Sequence, residues 1–163
     1  MRIAILGNSG SGKSTLARRL AGADGITVLE LDAIVWEPGK VAVPRKPEDV
    51  QADLERFIAE NESWIIEGCY GDLLARALPF CTEFIFLNPG EATCLANNRR
   101  RPWEPHKYDS AEAQNAMLDY LLAWVKDYYI RDDQCSLANH RRLFDSYAGK
   151  KREMQESVSD VDP

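Results

Sequence analysis

Gly7-Asn8-Ser9-Gly10-Ser11-Gly12-Lys13-Ser14, followed by Thr15, decides how the rest of this 163-residue chain is read. The stretch fits G-x-x-x-x-G-K-[ST], the P-loop or Walker A pattern. Each residue type in it has a physical task. Gly7, Gly10 and Gly12 carry no Cβ, so the backbone is free to take positive φ and to approach a polyphosphate. Asn8, Ser9 and Ser11 complete the loop, and its N–H groups, through Thr15, are expected to converge on phosphate oxygens as an anion nest. Lys13 brings a positive charge to the β- and γ-phosphates, and the Ser14 hydroxyl is the Mg²⁺ ligand of the pattern.

The flanks agree with the motif. Arg2-Ile3-Ala4-Ile5-Leu6 is a short apolar run that reads as a buried strand. Leu16, Ala17, Leu20 and Ala21 repeat at helical spacing after the loop. Strand, glycine loop and helix are the required order, and the helix N-terminus sets its positive dipole end under the phosphates. The expected ligand is a nucleoside triphosphate with Mg²⁺: ATP is the expected nucleotide, and the sequence does not separate it from GTP.

Composition bounds the rest. The length fits a single domain, and 45% hydrophobic with 28% charged residues is enough for a real core. A net charge of −6 argues against a surface devoted to nucleic acid or anionic membrane. No apolar run reaches the ~18 residues of a membrane span. The N-terminus runs straight into the P-loop strand, leaving no room for a signal peptide, so a cytoplasmic protein is expected. Cys69, Cys81, Cys94 and Cys135 form no CxxC pair and are expected to be reduced. Their spacing gives no support to a zinc site with His106 or His140.

Further along, 26–31 reads as a second strand with Asp32 at its carboxyl end. Ligands of open parallel α/β sheets bind outside those ends. Asp32 is therefore a candidate base or acceptor-orienting acid, with a plain helix N-cap as the alternative. Residues 33–46 read as irregular, and Trp36 either covers an acceptor or joins the core. Pro47, with Glu48 and Asp49 in the first turn, opens an amphipathic helix on Val50, Leu54, Phe57 and Ile58 that ends near Asn61. A third strand at 64–67 stops at Gly68-Cys69-Tyr70-Gly71. Glu67 at its end is a candidate Mg²⁺ ligand through water, or an acceptor contact together with Gly68. A short helix ends at Pro79; its Arg76 is a candidate for an anionic substrate or a solvated charge. The run 83–87 is a fourth strand suited to the middle of a parallel sheet.

A helix from Glu91 to Asn98 then leads into Arg99-Arg100-Arg101-Pro102-Trp103-Glu104-Pro105-His106-Lys107. Guanidinium forks fit phosphate oxygens. A lid over about 99–110 that closes on a transferring phosphoryl group is the functional reading of this stretch, and a solvated basic loop the plain one. Asp109 with Glu112 resembles a capping box for one long helix to about Arg131. Its stripe of Met117, Tyr120, Leu121, Trp124 and Tyr128 is expected to pack on the sheet. Ser136 caps a helix running through Tyr147 with Gly149 as its stop, and Arg141 and Arg142 read as surface charges. The run 151–155 is a weak fifth strand, and the polar tail 157–163 is expected to be disordered.

Strands alternating with helices imply a parallel sheet wrapped by helices. Taken with the P-loop, the order resembles the adenylate kinase and shikimate kinase branch of P-loop proteins. The likeness is greatest to the group described as DNA topology modulation proteins, small adenylate-kinase-like ATPases. It is carried by Ile5 through Thr15, Leu31-Asp32-Ala33-Ile34-Val35-Trp36, Trp64-Ile65-Ile66-Glu67-Gly68-Cys69-Tyr70-Gly71, Ile85-Phe86-Leu87 and Arg99–Arg101. The resemblance implies a three-layer P-loop NTPase fold with a five-stranded sheet in order 2-3-1-4-5, an acceptor-binding segment after strand 2 and an Arg-bearing lid. It puts the acceptor acid on Asp32 and the acid near metal or acceptor on Glu67. Asn88 departs from the aspartate often found after strand 4, and the last strand is short.

The expected function is a small-molecule kinase: ATP and Mg²⁺ on Lys13 and Ser14, an acceptor hydroxyl at Asp32, and Arg99, Arg100 or Arg101 on the transferring group. The alternative is a nucleotide-dependent regulatory or nucleic-acid-associated ATPase, for which the basic stretches 99–107 and 141–152 speak.

Overall fold

Alternation within short apolar strands sets the architecture. In the computed structural model, which describes residues 1–22, 25–40, 43–105, 107–156 and 158, a five-stranded sheet forms the centre. It comprises β1 (Arg2–Gly7), β2 (Thr27–Glu30), β3 (Trp64–Gly68), β4 (Glu83–Leu87) and β5 (Lys151–Met154). Every pairing is parallel and the order is β2-β3-β1-β4-β5, as expected. Residues 23–24, 41–42, His106 and, apart from Val158, the tail 157–163 lie outside the described residues.

Successive side chains of a strand face opposite sides. Ala4, Leu6, Trp64, Ile66, Phe84 and Phe86 therefore share one face. It is covered by α3 (Pro47–Glu60) through Leu54, α4 (Gly71–Ala77) through Leu74 and Ala77, and α8 (Leu137–Ser146) through Phe144. Ile3, Ile5, Ile65, Ile85 and Leu87 share the other face with Leu16 and Ala17 of α1 (Lys13–Ala21) and with Val158. Burial on both faces is why these strands are almost wholly apolar. The poorly apolar β5 is tolerated because it is the edge, where Lys151 and Arg152 stay exposed.

Register brings the carboxyl ends together. Ile5 of β1 and Glu30 of β2 both pair with Glu67 of β3, and Gly7 pairs with Leu87 of β4. The P-loop thus emerges beside Glu67.

Some local expectations are corrected. The segment after β2 begins as a short helix, α2 (Asp32–Val35), and Trp36 then pairs with Pro44 in an antiparallel bridge. The single helix expected from Asp109 to Arg131 is broken. It is α6 (Ala111–Ala116), capped by the Ser110 side chain and not by Asp109, then α7 (Leu118–Asp127). Both sheet faces are already covered, so α7 packs instead on α5 (Glu91–Arg99), burying Val125 with Cys94 and Leu95. Tyr128 is buried beyond the end of α7, but Tyr120 of the expected stripe is 69% exposed. Ser136 caps α8 as expected by accepting from the Asn139 N–H, but the chain leaves the helix at Tyr147, before Gly149.

Candidate active site

The P-loop lies between β1 and α1. Gly10 has φ 77° and Gly12 φ 97°, a backbone region that side chains rarely adopt. A Cβ on Gly10 would collide with the Cys94 carbonyl and the Asn98 amide, and one on Gly12 would lie 2.8 Å from Val158. Gly7 corrects the expectation of positive φ. It ends β1, and it is required by space, since a Cβ there would meet the Leu87 carbonyl at 2.5 Å.

Neighbours hold the loop from outside. Asn97 Nδ2 donates to the Gly10 carbonyl at 2.8 Å, and Ser9 Oγ donates to Asn98 Oδ1 at 3.1 Å. Asn8, buried, donates from Nδ2 to the Val125 carbonyl at 3.0 Å and accepts from the Ser9 N–H at 2.8 Å. Lys13 Nζ folds back on the Asn8 carbonyl at 2.8 Å. The Ser11 hydroxyl is buried with no hydrogen-bond partner among the described residues.

A cavity of about 560 Å³ opens above this loop. It collects Ser9, Gly10, Gly12, Lys13, Ser14 and Thr15 from the loop and α1, with Asp32, Glu67 and Gly68 from the strand ends. Arg100, Arg101 and Lys107 reach it from the segment after α5. Gly7, Asn8 and Ser11 stand behind the surface. Arg99 lines a separate small pocket, and Arg76 is exposed on α4 outside the cavity. Trp36 does not line it either; its Nε1 donates to the Tyr70 hydroxyl at 3.1 Å.

Two carboxylates sit in different electrostatic settings. Glu67 is 4% exposed and accepts from Ser14 Oγ at 2.5 Å. Burial raises its carboxyl above the ordinary range, outweighing the nearby Lys13 charge and the Ser14 hydrogen bond. Asp32 accepts from the Tyr70 hydroxyl at 2.7 Å and from Lys107 Nζ at 3.2 Å. Desolvation pushes it up, yet the Lys107 charge and the Tyr70 hydroxyl prevail and hold it below the ordinary value. Asp32 is thus held ionised, whereas Glu67 holds a proton more readily.

Lys107 is braced by its own segment. Glu104 Oε1 lies 3.4 Å from Lys107 Nζ, and Glu104 Oε2 lies 3.3 Å from Arg101. Gln114 of α6 accepts from the Glu104 N–H at 2.8 Å and donates to the Pro102 carbonyl at 3.1 Å. Below the site, His140 is fully buried. Its Nε2 donates to the Cys69 carbonyl at 2.8 Å, because a carbonyl can only accept, so Nδ1 accepts from the Tyr128 hydroxyl at 3.0 Å. Desolvation drives its pKa down to about 4.

Tyr70, Lys107, Glu104 and Asn97 were not singled out in the sequence. Tyr70 and Lys107 do lie within stretches that were, but nothing local ties either to Asp32. Within the basic run 141–152, Arg141 grips both oxygens of Glu153 at 2.8 and 2.7 Å, and Lys150 and Arg152 both pair with Glu83. Among the described residues no group of three His, Cys, Asp or Glu side chains is placed to hold a metal by itself, and no helix is long and apolar enough to cross a membrane.

No family model and no curated protein matches the sequence. Solved structures do. A gluconokinase from Sinorhizobium meliloti 1021 is similar over 98% of this chain and 86% of its own, with 18% identity and a TM-score of 0.50. A shikimate kinase from Acinetobacter baumannii, in complex with shikimate, is similar over 97% and 86%, with 18% identity and a TM-score of 0.51. The YorR protein from Bacillus subtilis, in complex with phosphorylated GDP, is similar over 94% and 85%, with 12% identity and a TM-score of 0.51. At such identities the likeness speaks for architecture, and the architecture of this chain is the α/β P-loop kinase fold.

Proposed function

We propose that this protein is a small-molecule kinase. It binds ATP with Mg²⁺ on the P-loop and transfers the γ-phosphoryl group to an acceptor hydroxyl oriented by Asp32. The observation that carries this reading is the shared cavity: Lys13, the Ser14–Glu67 pair, Asp32 and cationic side chains of the segment after α5 all line it. Phosphoryl transfer asks mainly for positioning and charge stabilisation, and these residues supply both.

The residues fit the group that the reading requires. Ser14 Oγ and the Glu67 carboxylate are hard oxygen donors side by side, and Mg²⁺ sites of this kind use one or two protein oxygens with waters and phosphate oxygens. When bound, Mg²⁺ neutralises charge on the phosphate oxygens. Lys13 lines the cavity, and its Nζ donates to the Asn8 carbonyl at 2.8 Å. Arg100 lines the cavity with no ion pair among the described residues, so it and Arg101, in place of Arg99, are the guanidinium groups that serve the transferring group. The ionised Asp32 accepts the acceptor's hydroxyl hydrogen bond.

The pairing of Arg141, Lys150 and Arg152 with acids of the fold offsets the positive charge of the second basic stretch, which favours the kinase over the nucleic-acid-associated ATPase. The test is turnover of ATP with Mg²⁺, alone and against nucleosides, nucleoside monophosphates, sugars and hydroxy acids. The reading expects one class to raise ADP release and yield a phosphorylated product. Slow hydrolysis indifferent to every acceptor, together with steeply salt-dependent DNA binding, points to the other function.

A further inference from the structure

Both oxygens of Asp32 are engaged. Tyr70 donates to Oδ1 at 2.7 Å, and Trp36 Nε1 donates to that same Tyr70 oxygen at 3.1 Å. An indole N–H can only donate, so the Tyr70 proton is left for Asp32. Oδ1 therefore carries a donor fixed by the fold, whereas Oδ2 meets Lys107, a residue of the cavity lining. Oδ2 takes Lys107 Nζ at 3.2 Å. The Lys107 side chain is only 28% exposed, and Glu104, Arg101 and Gln114 fix the segment that carries it.

We propose that Lys107 is a latch on Asp32 Oδ2 that competes with water for this oxygen and lowers its basicity, so that phosphoryl transfer is favoured when an acceptor hydroxyl displaces the ammonium. Lys107 thereby sets the choice between acceptor and water. The inference rests on the kinase reading.

The chemistry explains why such a latch is needed. In transfer, the acceptor oxygen forms a bond to the γ-phosphorus. The bond from that phosphorus to the β–γ bridging oxygen breaks, its electron pair leaves on ADP, and the acceptor proton passes to Asp32 Oδ2. Water makes the same bond and gives ADP and inorganic phosphate, its proton going to the same oxygen. An ammonium has no lone pair. While it holds Oδ2, the ammonium competes with a water at the γ-phosphorus for that oxygen, and its charge disfavours proton transfer to it. An acceptor bound in the cavity has many contacts with which to displace Lys107, and a single water has none.

The test needs no identified acceptor. Phosphate release from ATP with Mg²⁺ is measured for the full chain as wild type, K107M and D32N/K107M, alongside binding of a fluorescent ATP analogue. Methionine keeps most of the lysine stem's packing. K107M is expected to release phosphate about tenfold faster than wild type, equivalent to roughly 1.4 kcal/mol of barrier, and D32N/K107M to fall back to the wild-type rate or below. K107M that binds the analogue normally yet hydrolyses no faster overturns the latch, as does a D32N/K107M rate as high as that of K107M. Failure of the wild type to bind the analogue overturns the kinase reading itself.

Discussion

Ser14 Oγ donates to Glu67 Oε1 at 2.5 Å, joining two residues 53 positions apart at the edge of the phosphate-binding loop. The parallel register that pairs Ile5 with Glu67 is what aligns them. Under the proposed function, a buried carboxylate that accepts a serine hydroxyl hydrogen bond marks where a cation shared between them would sit. E67Q keeps the shape and removes the charge. It is expected to raise the Mg²⁺ concentration for half-maximal turnover about tenfold or more, while metal-free nucleotide binding changes less than about twofold. Metal titration of turnover checks this, and an unchanged Mg²⁺ requirement would remove Glu67 from the metal site.

Trp36 is expected to act only through Tyr70. Y70F deletes a hydrogen bond to a charged carboxylate and should cut acceptor-dependent kcat about tenfold. W36F should cost less, because it removes only the donor behind that hydroxyl. In the Y70F background W36F should then cost nothing further, a coupling that a double-mutant cycle reads directly. Additive losses would mean that the indole serves packing or the acceptor instead.

His140 makes stability fall with acid. Its pKa is about 4 in the fold against 6.5 for the free side chain, so between those values the unfolded chain binds the proton and the folded chain does not. The contribution is fully present above pH 6.5 and is lost as pH falls towards 4. Urea unfolding at about pH 7 and about pH 5 should show wild type losing about 2 kcal/mol more than H140Q. Parallel losses in the two proteins would show that the imidazole is protonated in the fold.

Gly10 should tolerate no side chain. At φ 77°, with the Cys94 carbonyl and the Asn98 amide in the place of a Cβ, G10A combines left-handed strain with a backbone collision. A loss of roughly 2 kcal/mol or more of unfolding free energy is expected, with nucleotide binding impaired beyond it. Chemical denaturation and analogue binding measure both. Full stability in G10A would mean that α5 does not clamp the loop.

What the sequence made legible was local. The glycine loop, the apolar strands and the caps at Pro47 and Ser136 each depend on neighbours within a few residues, and the sheet order came with the resemblance. Features set by long-range packing were not legible. Lys107 and Asp32 are 75 positions apart, and only the path of the chain after α5 brings them together. Which arginine of Arg99, Arg100 and Arg101 faces the cavity depends on how α5 ends, and that turns Arg99 away. The break at Met117 was hidden because helical spacing continues across it, while α6 follows the segment it supports and α7 follows α5. Gly7 shows the same limit in the backbone: its type was readable, but crowding by Leu87 comes from a strand 80 positions away.

The most direct test of the kinase reading is a comparison of wild type and D32N with the acceptor that the panel identifies, by mass spectrometry of the product and by equilibrium binding of ATP. The expected result is a phosphorylated product from wild type, at least about a hundredfold less from D32N, and ATP affinity equal within about twofold. Equal product from both proteins, or a loss of ATP binding as large as the loss of transfer, would contradict the role of Asp32 at the acceptor.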